Sequence, residues 1–132
     1  MVEKILVTGA NGMVGRALVS RLLLEGYFVV AGVYPGTASV FDNISSTSLS
    51  IEEFDINLCD WEPLLDGVTD VIHLAAMVHV HKKSEQEWDK FYQTNVVATE
   101  ELCLALLTSN VRRFMFLSTV GIYGAYPVTG AD

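Results

Sequence analysis

The chain has 132 residues, of which 51% are hydrophobic and 18% are charged, and its formal net charge at pH 7 is −8. This length and composition predict one globular domain with a sizeable core and argue against a disordered chain. The excess of negative charge argues against nucleic acid and an anionic membrane surface as partners, because both would repel it. The sequence shows no signal-peptide pattern and no apolar run near the roughly 18 residues of a membrane span, so we expect a cytoplasmic protein.

Strands and helices alternate along the chain. Short apolar runs bounded by turn residues predict five strands, at 4–9, 27–33, 49–54, 70–76 and 112–118. The spacing of apolar residues predicts a helix at 13–25, a short helical turn at 60–65, and a long helix that begins at the N-cap Ser84 and ends at about residue 108. Residues 35–48, which are rich in Gly, Ser, Thr and Asn, predict a loop. This alternation implies right-handed crossovers and a mainly parallel sheet with helices on both faces.

A glycine-rich turn joins the first strand to the first helix. In VTGANGMVG the strand ends at Thr8, and glycines follow at positions 9, 12 and 15. Gly9 permits a sharp turn, Gly12 lets the backbone approach a pyrophosphate, and Gly15 lets the helix pack closely against the sheet. The free N–H groups of the helix would then face the phosphates, so an acidic protein could bind a dinucleotide without a basic patch. The alternative is an ordinary glycine-rich turn without a ligand, which the position between strand and helix disfavours.

These features together predict a Rossmann-type α/β fold. About five strands would form a doubly wound parallel sheet in the order 3-2-1-4-5. Residues 1–132 would form one NAD(P)-binding domain that stops before a sixth strand.

Five motifs carry a resemblance to a known family. They are the GxxGxxG turn in TGANGMVG at 8–15, the acidic–apolar pair at 55–56, HLAA at 73–76, the asparagine of TNVVAT at 95, and LSTVGIYG at 117–124. With them, the sequence resembles the extended short-chain dehydrogenase/reductase superfamily. It is most similar to the NAD(P)-dependent epimerases and dehydratases that act on nucleotide sugars, and the resemblance covers essentially the whole chain.

The resemblance implies a dinucleotide cofactor, a nucleotide-sugar substrate and a homodimer. It also implies that Thr119 is the hydroxyl that orients the reacting oxygen of the substrate. The cofactor contacts that it implies come from Gly9, Asn11, Gly12, Met13, Val14, Gly15, Asp55, Ile56, Leu74, Ala75, Ala76, Asn95 and Ser118.

In the resembling enzymes this hydroxyl works with a Tyr-x-x-x-Lys pair. The lysine lowers the tyrosine pKa, and the phenolate takes a hydroxyl proton while hydride moves to the cofactor. An unassisted tyrosine, with a pKa of about 10, is a poor base at neutral pH. No tyrosine in the sequence has a lysine four residues later, since Tyr123 precedes Pro127 and Tyr126 precedes Gly130 at that spacing. We therefore expect the N-terminal, cofactor-binding part of a longer enzyme, which binds NAD(P) but does not turn over.

Two other functions stay open. One is a non-catalytic module that senses the dinucleotide, and the other is a carbonyl reductase of the same superfamily. The position of Thr119, four residues before Tyr123, favours an enzyme over a sensor. A chain without a sixth strand would also leave the apolar fifth strand at the sheet edge, which predicts self-association or marginal stability.

The cofactor type is only weakly indicated. The second strand ends in GVYPG at 32–36, which offers neither an acid for the ribose hydroxyls nor a base for a 2′-phosphate. We expect NAD, with NADP left open, because a phosphate dianion without a nearby cation would be poorly compensated.

The histidines and cysteines favour structural roles. His73 is expected to be a satisfied core or strand-end residue, and His79 and His81 to line a loop near the nicotinamide. A metal site would need a third or fourth ligand beside these histidines, so we do not expect one. Cys59 and Cys103 lack a CxxC spacing and predict buried free thiols in a reducing compartment.

The apolar faces of the two main helices are also predicted from spacing. For the first helix, the expected buried face and its border comprise Val14, Ala17, Leu18, Arg21 and Leu22. The long helix carries an apolar stripe, which predicts a core face first and a dimer surface second. The stripe consists of Trp88, Phe91, Tyr92, Val96, Thr99, Leu102, Cys103 and Leu106.

Overall fold

The protein is described by a computed structural model that covers residues 2–78 and 84–119. Its strands are β1 (Lys4–Thr8), β2 (Phe28–Val33), β3 (Leu49–Glu53), β4 (Asp70–His73) and β5 (Arg113–Phe116). Its helices are α1 (Met13–Leu24), a 3-10 helix (Ala38–Phe41), α2 (Trp61–Leu64), α3 (Glu85–Tyr92), a π-helical turn (Gln93–Val97) and α4 (Ala98–Leu106).

All strand pairs are parallel, and the sheet has the order β3-β2-β1-β4-β5. β1 lies at the centre, where Val7 pairs with Ala31 of β2 on one side and Ile72 of β4 on the other. From β1, the sheet continues through β2 and β3 in one direction and through β4 and β5 in the other. The strand order therefore reverses at β1. The predicted doubly wound fold and strand order are confirmed.

The sheet separates two apolar clusters, one on each face. Because successive residues of a strand point to opposite faces, Leu6 and Val7 of β1 belong to different clusters. Leu6 packs in the cluster that contains Trp61 of α2 and Leu102 of α4. Val7 packs in the cluster that contains Val19 of α1. The predicted helices on both faces are therefore confirmed.

The predicted face of α1 is confirmed for Leu18 and Leu22, which pack against the cluster on that side of the sheet, and is wrong for Val14 and Ala17. Gly15 and Val19 are its buried residues, whereas Val14, Ala17 and Arg21 are exposed. The reason is the close approach at Gly15, where a Cβ atom would lie 2.7 Å from the Cα of Ala10. That contact fixes the rotation of the helix, and apolar spacing alone does not reveal it.

The segment predicted as a loop at 35–48 contains the 3-10 helix. Phe41, at the end of this helix, is 2% exposed and joins the α1-side cluster. One buried aromatic side chain thus anchors a segment whose composition indicated only a loop.

The long helix was predicted as one α-helix and is instead interrupted by the π-helical turn. The cap was predicted correctly: Ser84 forms a capping box with Glu87. A π-helical turn accommodates an extra residue, so apolar positions before and after it no longer share one face. Only Leu102 of the predicted stripe is fully buried, while Trp88, Tyr92, Val96 and Cys103 are exposed.

The cysteine prediction was right about free thiols and wrong about burial. Cys59 and Cys103 are free, but Cys103 is exposed and Cys59 is only partly buried. Burial, together with the carboxylates of Asp55, Glu101 and Asp60, raises the pKa of Cys59 to about 11. The thiol of Cys59 is therefore protonated at neutral pH. No helix in the described part of the chain combines the length and apolar character needed to cross a bilayer.

Candidate functional site

An open groove of about 1070 Å³ lies at the carboxyl ends of β1, β2 and β4. This is where the strand order of the sheet reverses, and ligands of open α/β sheets bind at such a point. Eleven of the thirteen predicted cofactor contacts line it: Gly9, Asn11, Gly12, Met13, Val14, Gly15, Asp55, Ile56, Leu74, Ala75 and Ala76.

The glycine turn forms one wall of the groove, and its three glycines have different surroundings. Gly9 has φ of +67°, and a Cβ atom there would lie 2.7 Å from the backbone N of Ala75. A Cβ on Gly15 would clash with the backbone of Gly9 and Ala10. A Cβ on Gly12 would approach only the carbonyl oxygen of Gly9, at 3.3 Å. Packing therefore requires Gly9 and Gly15, whereas Gly12 keeps space open at the groove.

The N-terminus of α1 opens into this wall. Gly12 is its N-cap, and within the described residues no side chain caps the helix and no acidic residue lies in its first turn. The side chains of Met13 and Val14 are 80% and 51% exposed. The helix dipole and the amides of its first turn thus favour an anion in the groove.

The tip of β2 and the end of β3 form the far side of the groove. Gly32, Val33 and Tyr34 line it from β2, and Phe54 and Asp55 from the segment after β3. The side chain of Tyr34 is exposed. Phe54 occupies the space above Gly32, where a Cβ atom would lie 2.7 Å from its ring. This side therefore presents aromatic surface together with one carboxylate.

Acidic side chains near this side are held by local hydrogen bonds. Oδ1 of Asp55 accepts from the backbone N–H and the side-chain amide of Asn57, at 2.9 and 2.8 Å. Oε1 of Glu53 accepts from the backbone N–H groups of Gly36 and Ala38, at 3.1 and 3.3 Å. The carboxylate of Glu53 thus anchors the loop that follows Tyr34.

The floor of the groove follows β4. This strand ends at His73, earlier than the predicted residue 76. The cause is Thr8, whose hydroxyl accepts from the backbone N–H groups of Leu74 and Ala75 at 3.2 Å each. The two residues lie beyond the end of the strand and line the groove.

Asn95 and Ser118 do not line the groove. Asn95 lies behind the floor, where its amide donates to the carbonyl of Met77 at 2.9 Å and accepts from its N–H at 2.8 Å. Met77 lines the groove, so Asn95 acts on it through a backbone contact. Ser118 and Thr119 are exposed, next to the groove-lining Leu117. Tyr123, Tyr126, His79 and His81 lie outside the described residues.

Several groove residues were not predicted from the sequence. Tyr34 and Phe54 could have been found, because each directly follows a strand at the binding edge. Asp89, Lys90, Gln93 and Thr94 could not, because they reach the groove from the helical region far along the chain. Within the described residues, no three His, Cys, Asp or Glu side chains are arranged to hold a metal ion.

A doubly wound parallel sheet with a GxxGxxG turn at its switch point defines a Rossmann-type protein of the short-chain dehydrogenase/reductase class. Comparison with known proteins makes the assignment more specific. The chain belongs to the NAD dependent epimerase/dehydratase family, whose model matches residues 5–131.

Individual relatives carry several activities. The chain is 33% identical to a UDP-glucose 4-epimerase from Vibrio cholerae, over 98% of this chain and 39% of that protein. It is 32% identical to a dihydroflavonol 4-reductase from Arabidopsis thaliana, over 90% of this chain and 33% of that protein. A UDP-glucuronic acid 4-epimerase from Bacillus cereus, solved with UDP-glucuronic acid and NAD, matches with a TM-score of 0.81 and 28% identity, over 98% of this chain and 44% of that chain. The chain thus spans less than half the length of these proteins.

Proposed function

We propose that the groove binds a nicotinamide dinucleotide, with the pyrophosphate at the N-terminus of α1. The observation that carries this proposal is the space above Gly12, beside an uncapped helix end at the switch point of the sheet. The aromatic side, with Tyr34 and Phe54, suits the adenosine. The floor at Leu74–Ala76 then lies under the rest of the cofactor.

We infer that NAD is the preferred cofactor. At the tip of β2, Tyr34 stands where a 2′-phosphate would need a cation. The nearby carboxylate of Glu53 adds negative charge beside the same loop. A 2′-phosphate dianion there would meet this like charge, and Lys90, which also lines the groove, reaches it from α3 and not from the tip of β2. The NAD bound to the similar Bacillus cereus enzyme agrees with this preference.

We also propose that this chain supplies the cofactor-binding part of a nucleotide-sugar epimerase or dehydratase. The bound dinucleotide would supply transient hydride transfer at a sugar carbon. Thr119, two residues beyond the groove-lining Leu117, would orient the reacting hydroxyl. Since no Tyr-x-x-x-Lys pair occurs in the 132 residues, we expect this chain by itself to bind the cofactor and not to turn over.

A second candidate function is carbonyl reduction. The resemblance to a dihydroflavonol 4-reductase, at nearly the same identity as to the epimerase, favours it. The shared groove explains why both activities occur among the relatives, because the cofactor-binding half of such enzymes does not specify the substrate. A dinucleotide-sensing module is the remaining alternative.

A turnover assay tests whether this chain by itself turns over a substrate of either class. The 132-residue chain is incubated with NAD⁺ and UDP-glucose and, separately, with NADH and a small aromatic ketone. We expect neither an epimerised sugar nor NADH consumption, although the cofactor binds. Sugar epimerisation would contradict the claim of no turnover, and NADH consumption with the ketone would favour the reductase.

We further propose that the chain self-associates through the region around β5, in a reducing, cytoplasmic compartment. Phe114, Met115, Phe116 and Leu117 are 38%, 63%, 50% and 56% exposed at the edge of the described sheet. Such an open apolar edge is prone to pair with another chain. Light scattering over a concentration series tests this, and a monodisperse monomer at high concentration would contradict it.

A further inference from the structure

A row of hydrogen bonds, buried at its centre, runs beneath the groove floor. Nδ1 of His73 lies 2.7 Å from Oγ1 of Thr8, and Nε2 of His73 lies 3.1 Å from Oγ1 of Thr99. The same Thr8 oxygen accepts from the N–H groups of Leu74 and Ala75. Thr8 and His73 are 0% and 1% exposed. The row therefore joins β1, β4 and α4, with almost no access to water at Thr8 and His73 and partial burial at its other members.

The hydrogen-bonding capacity of Thr8 determines where the protons lie. A hydroxyl has one proton and two lone pairs. Two backbone N–H groups already point at the Thr8 oxygen, although that of Leu74 is shared with the Thr8 carbonyl at 3.2 Å. If His73 donated as well, the hydroxyl would receive a third donor and its own buried proton would lack an acceptor within the described residues. The Thr8 hydroxyl therefore donates to Nδ1 of His73.

The opposite nitrogen of the ring then carries the proton. Burial lowers the pKa of His73 to about 4, so the imidazole is neutral and holds a single proton at pH 7. That proton lies on Nε2 and is donated to Thr99. The ring also stacks on Phe116 of β5, with centroids 5.9 Å apart, which limits its rotation.

The positions of these protons affect the cofactor groove through Thr8. Ala75 lines the groove floor, and its N–H is held by the Thr8 oxygen. The backbone N of Ala75 also lies where a Cβ on Gly9 would approach to 2.7 Å, so the floor and the glycine turn are already in close contact. A Thr8 hydroxyl that turned away would release Ala75 and change the spacing between floor and turn.

We propose that His73 is a positioning residue for the dinucleotide, acting through its unprotonated Nδ1. This nitrogen orients the Thr8 hydroxyl, and the Thr8 oxygen in turn holds the N–H groups of Leu74 and Ala75 at the groove floor. His73 itself does not line the groove. The inference rests on the proposed binding of a dinucleotide in that groove.

Two substitutions at His73 separate this role from a merely structural one. The side-chain oxygen of asparagine is as many bonds from Cβ as Nδ1 of histidine, and the side-chain nitrogen of glutamine as many as Nε2. His73→Asn therefore keeps an acceptor for Thr8 and loses the contact with Thr99. His73→Gln keeps a donor to Thr99 and loses the acceptor for Thr8. Thr99→Val serves as the control that removes the partner of Nε2 alone.

The affinity for NADH and the thermal midpoint are measured for all four proteins. Both His73 variants lose stability, but only His73→Gln weakens NADH binding, by about tenfold or more. His73→Asn and Thr99→Val bind within about twofold of the wild type. Equal losses of affinity in the two His73 variants, or none in either, overturn the proposal. Should His73→Gln fail to fold, the Thr8 hydroxyl is tested directly. We then expect Thr8→Val to lose NADH affinity and Thr8→Ser to retain it.

Nitrogen NMR of the wild-type histidines tests the proton order without any cofactor. At pH 7 we expect the unprotonated nitrogen of His73 to be Nδ1 and the protonated one to be Nε2; the reverse assignment overturns the proposal. If the wild type binds neither NADH nor NADPH, the proposed dinucleotide function fails and the positioning role fails with it. In that case the NMR result still decides the proton order separately.

Discussion

Arg113 of β5 donates to the carboxylate of Asp70 on β4, and the two residues pair directly across the strands. Asp70 is 5% exposed, and its other carboxylate oxygen accepts from the Thr69 hydroxyl at 2.6 Å. The hydrogen bond from Arg113 holds the pKa of Asp70 below its usual range. Arg113 also binds Glu3, as does Arg112. These contacts fasten the start of the edge strand to its neighbour.

Replacing Arg113 should release this strand. Arg113→Ala removes the guanidinium that donates to the buried carboxylate of Asp70, whereas Arg112→Ala removes an exposed pair with Glu3 and only a weaker electrostatic interaction with Asp70. Because an unpaired buried charge costs more than a lost surface ion pair, we expect the decrease in urea midpoint to be about twice as large for Arg113→Ala, or more. Urea unfolding followed by circular dichroism measures both. Equal decreases would show that the Asp70 contact adds nothing.

Stability should fall in mild acid because of His73. Its pKa is about 4 in the folded protein and near the ordinary 6.5 in the unfolded chain. Between these values the unfolded chain binds the proton and the folded protein does not. The free energy of unfolding therefore decreases as the pH falls from 6.5, and the loss from this residue reaches about 3 kcal/mol near pH 4.

The His73→Asn variant isolates this effect, because it lacks the titrating ring while all carboxylates remain. At pH 7 we expect the variant to be less stable than the wild type. The difference should narrow as the pH approaches 4, and urea unfolding at several pH values measures it. A difference that stays constant across this range would contradict the assigned pKa.

Gly12 and Gly15 should respond differently to substitution. Gly12→Val places a side chain at the groove wall beside the carbonyl oxygen of Gly9, where we expect NADH affinity to fall about tenfold or more, with a smaller change in thermal midpoint than Gly15→Ala causes. Gly15→Ala places a Cβ against the backbone of Gly9 and Ala10, so the thermal midpoint should fall instead. Fluorescence titration and thermal unfolding of both variants check this. If Gly12→Val binds NADH as tightly as the wild type, the phosphates are not bound at this turn.

Cofactor preference should depend on position 34. Tyr34→Arg supplies the cation that a 2′-phosphate requires, and we expect it to shift the ratio of NADPH to NADH affinity by about tenfold towards NADPH. Tyr34→Phe keeps the ring without adding charge and should leave the ratio unchanged. Parallel titrations with both cofactors measure the ratio. A shift of the same size in both variants would show that loss of the phenolic hydroxyl, rather than the added charge, decides the preference.

The fold was predictable because its signals are local. Glycine spacing between a strand and a helix, and apolar runs at regular intervals, predicted the sheet order, and the resemblance to a known family implied the eleven groove residues. The rotation of α1 and the π-helical turn were missed, since a backbone contact at Gly15 fixes the first and apolar spacing gives no sign of the second. The His73 network was also missed in detail, because its bond to Thr8 joins residues 65 positions apart. No pattern within one element reports such a contact.

The central claim is that the groove binds a nicotinamide dinucleotide. The direct measurement is titration of the 132-residue chain with NADH and NADPH, read as energy transfer from Trp61 and Trp88 to the reduced nicotinamide. We predict saturable binding of both at one site per chain, with NADH the tighter ligand and with Gly12→Val much weaker. Absence of binding by either cofactor, from a chain that circular dichroism shows to be folded, would contradict the account.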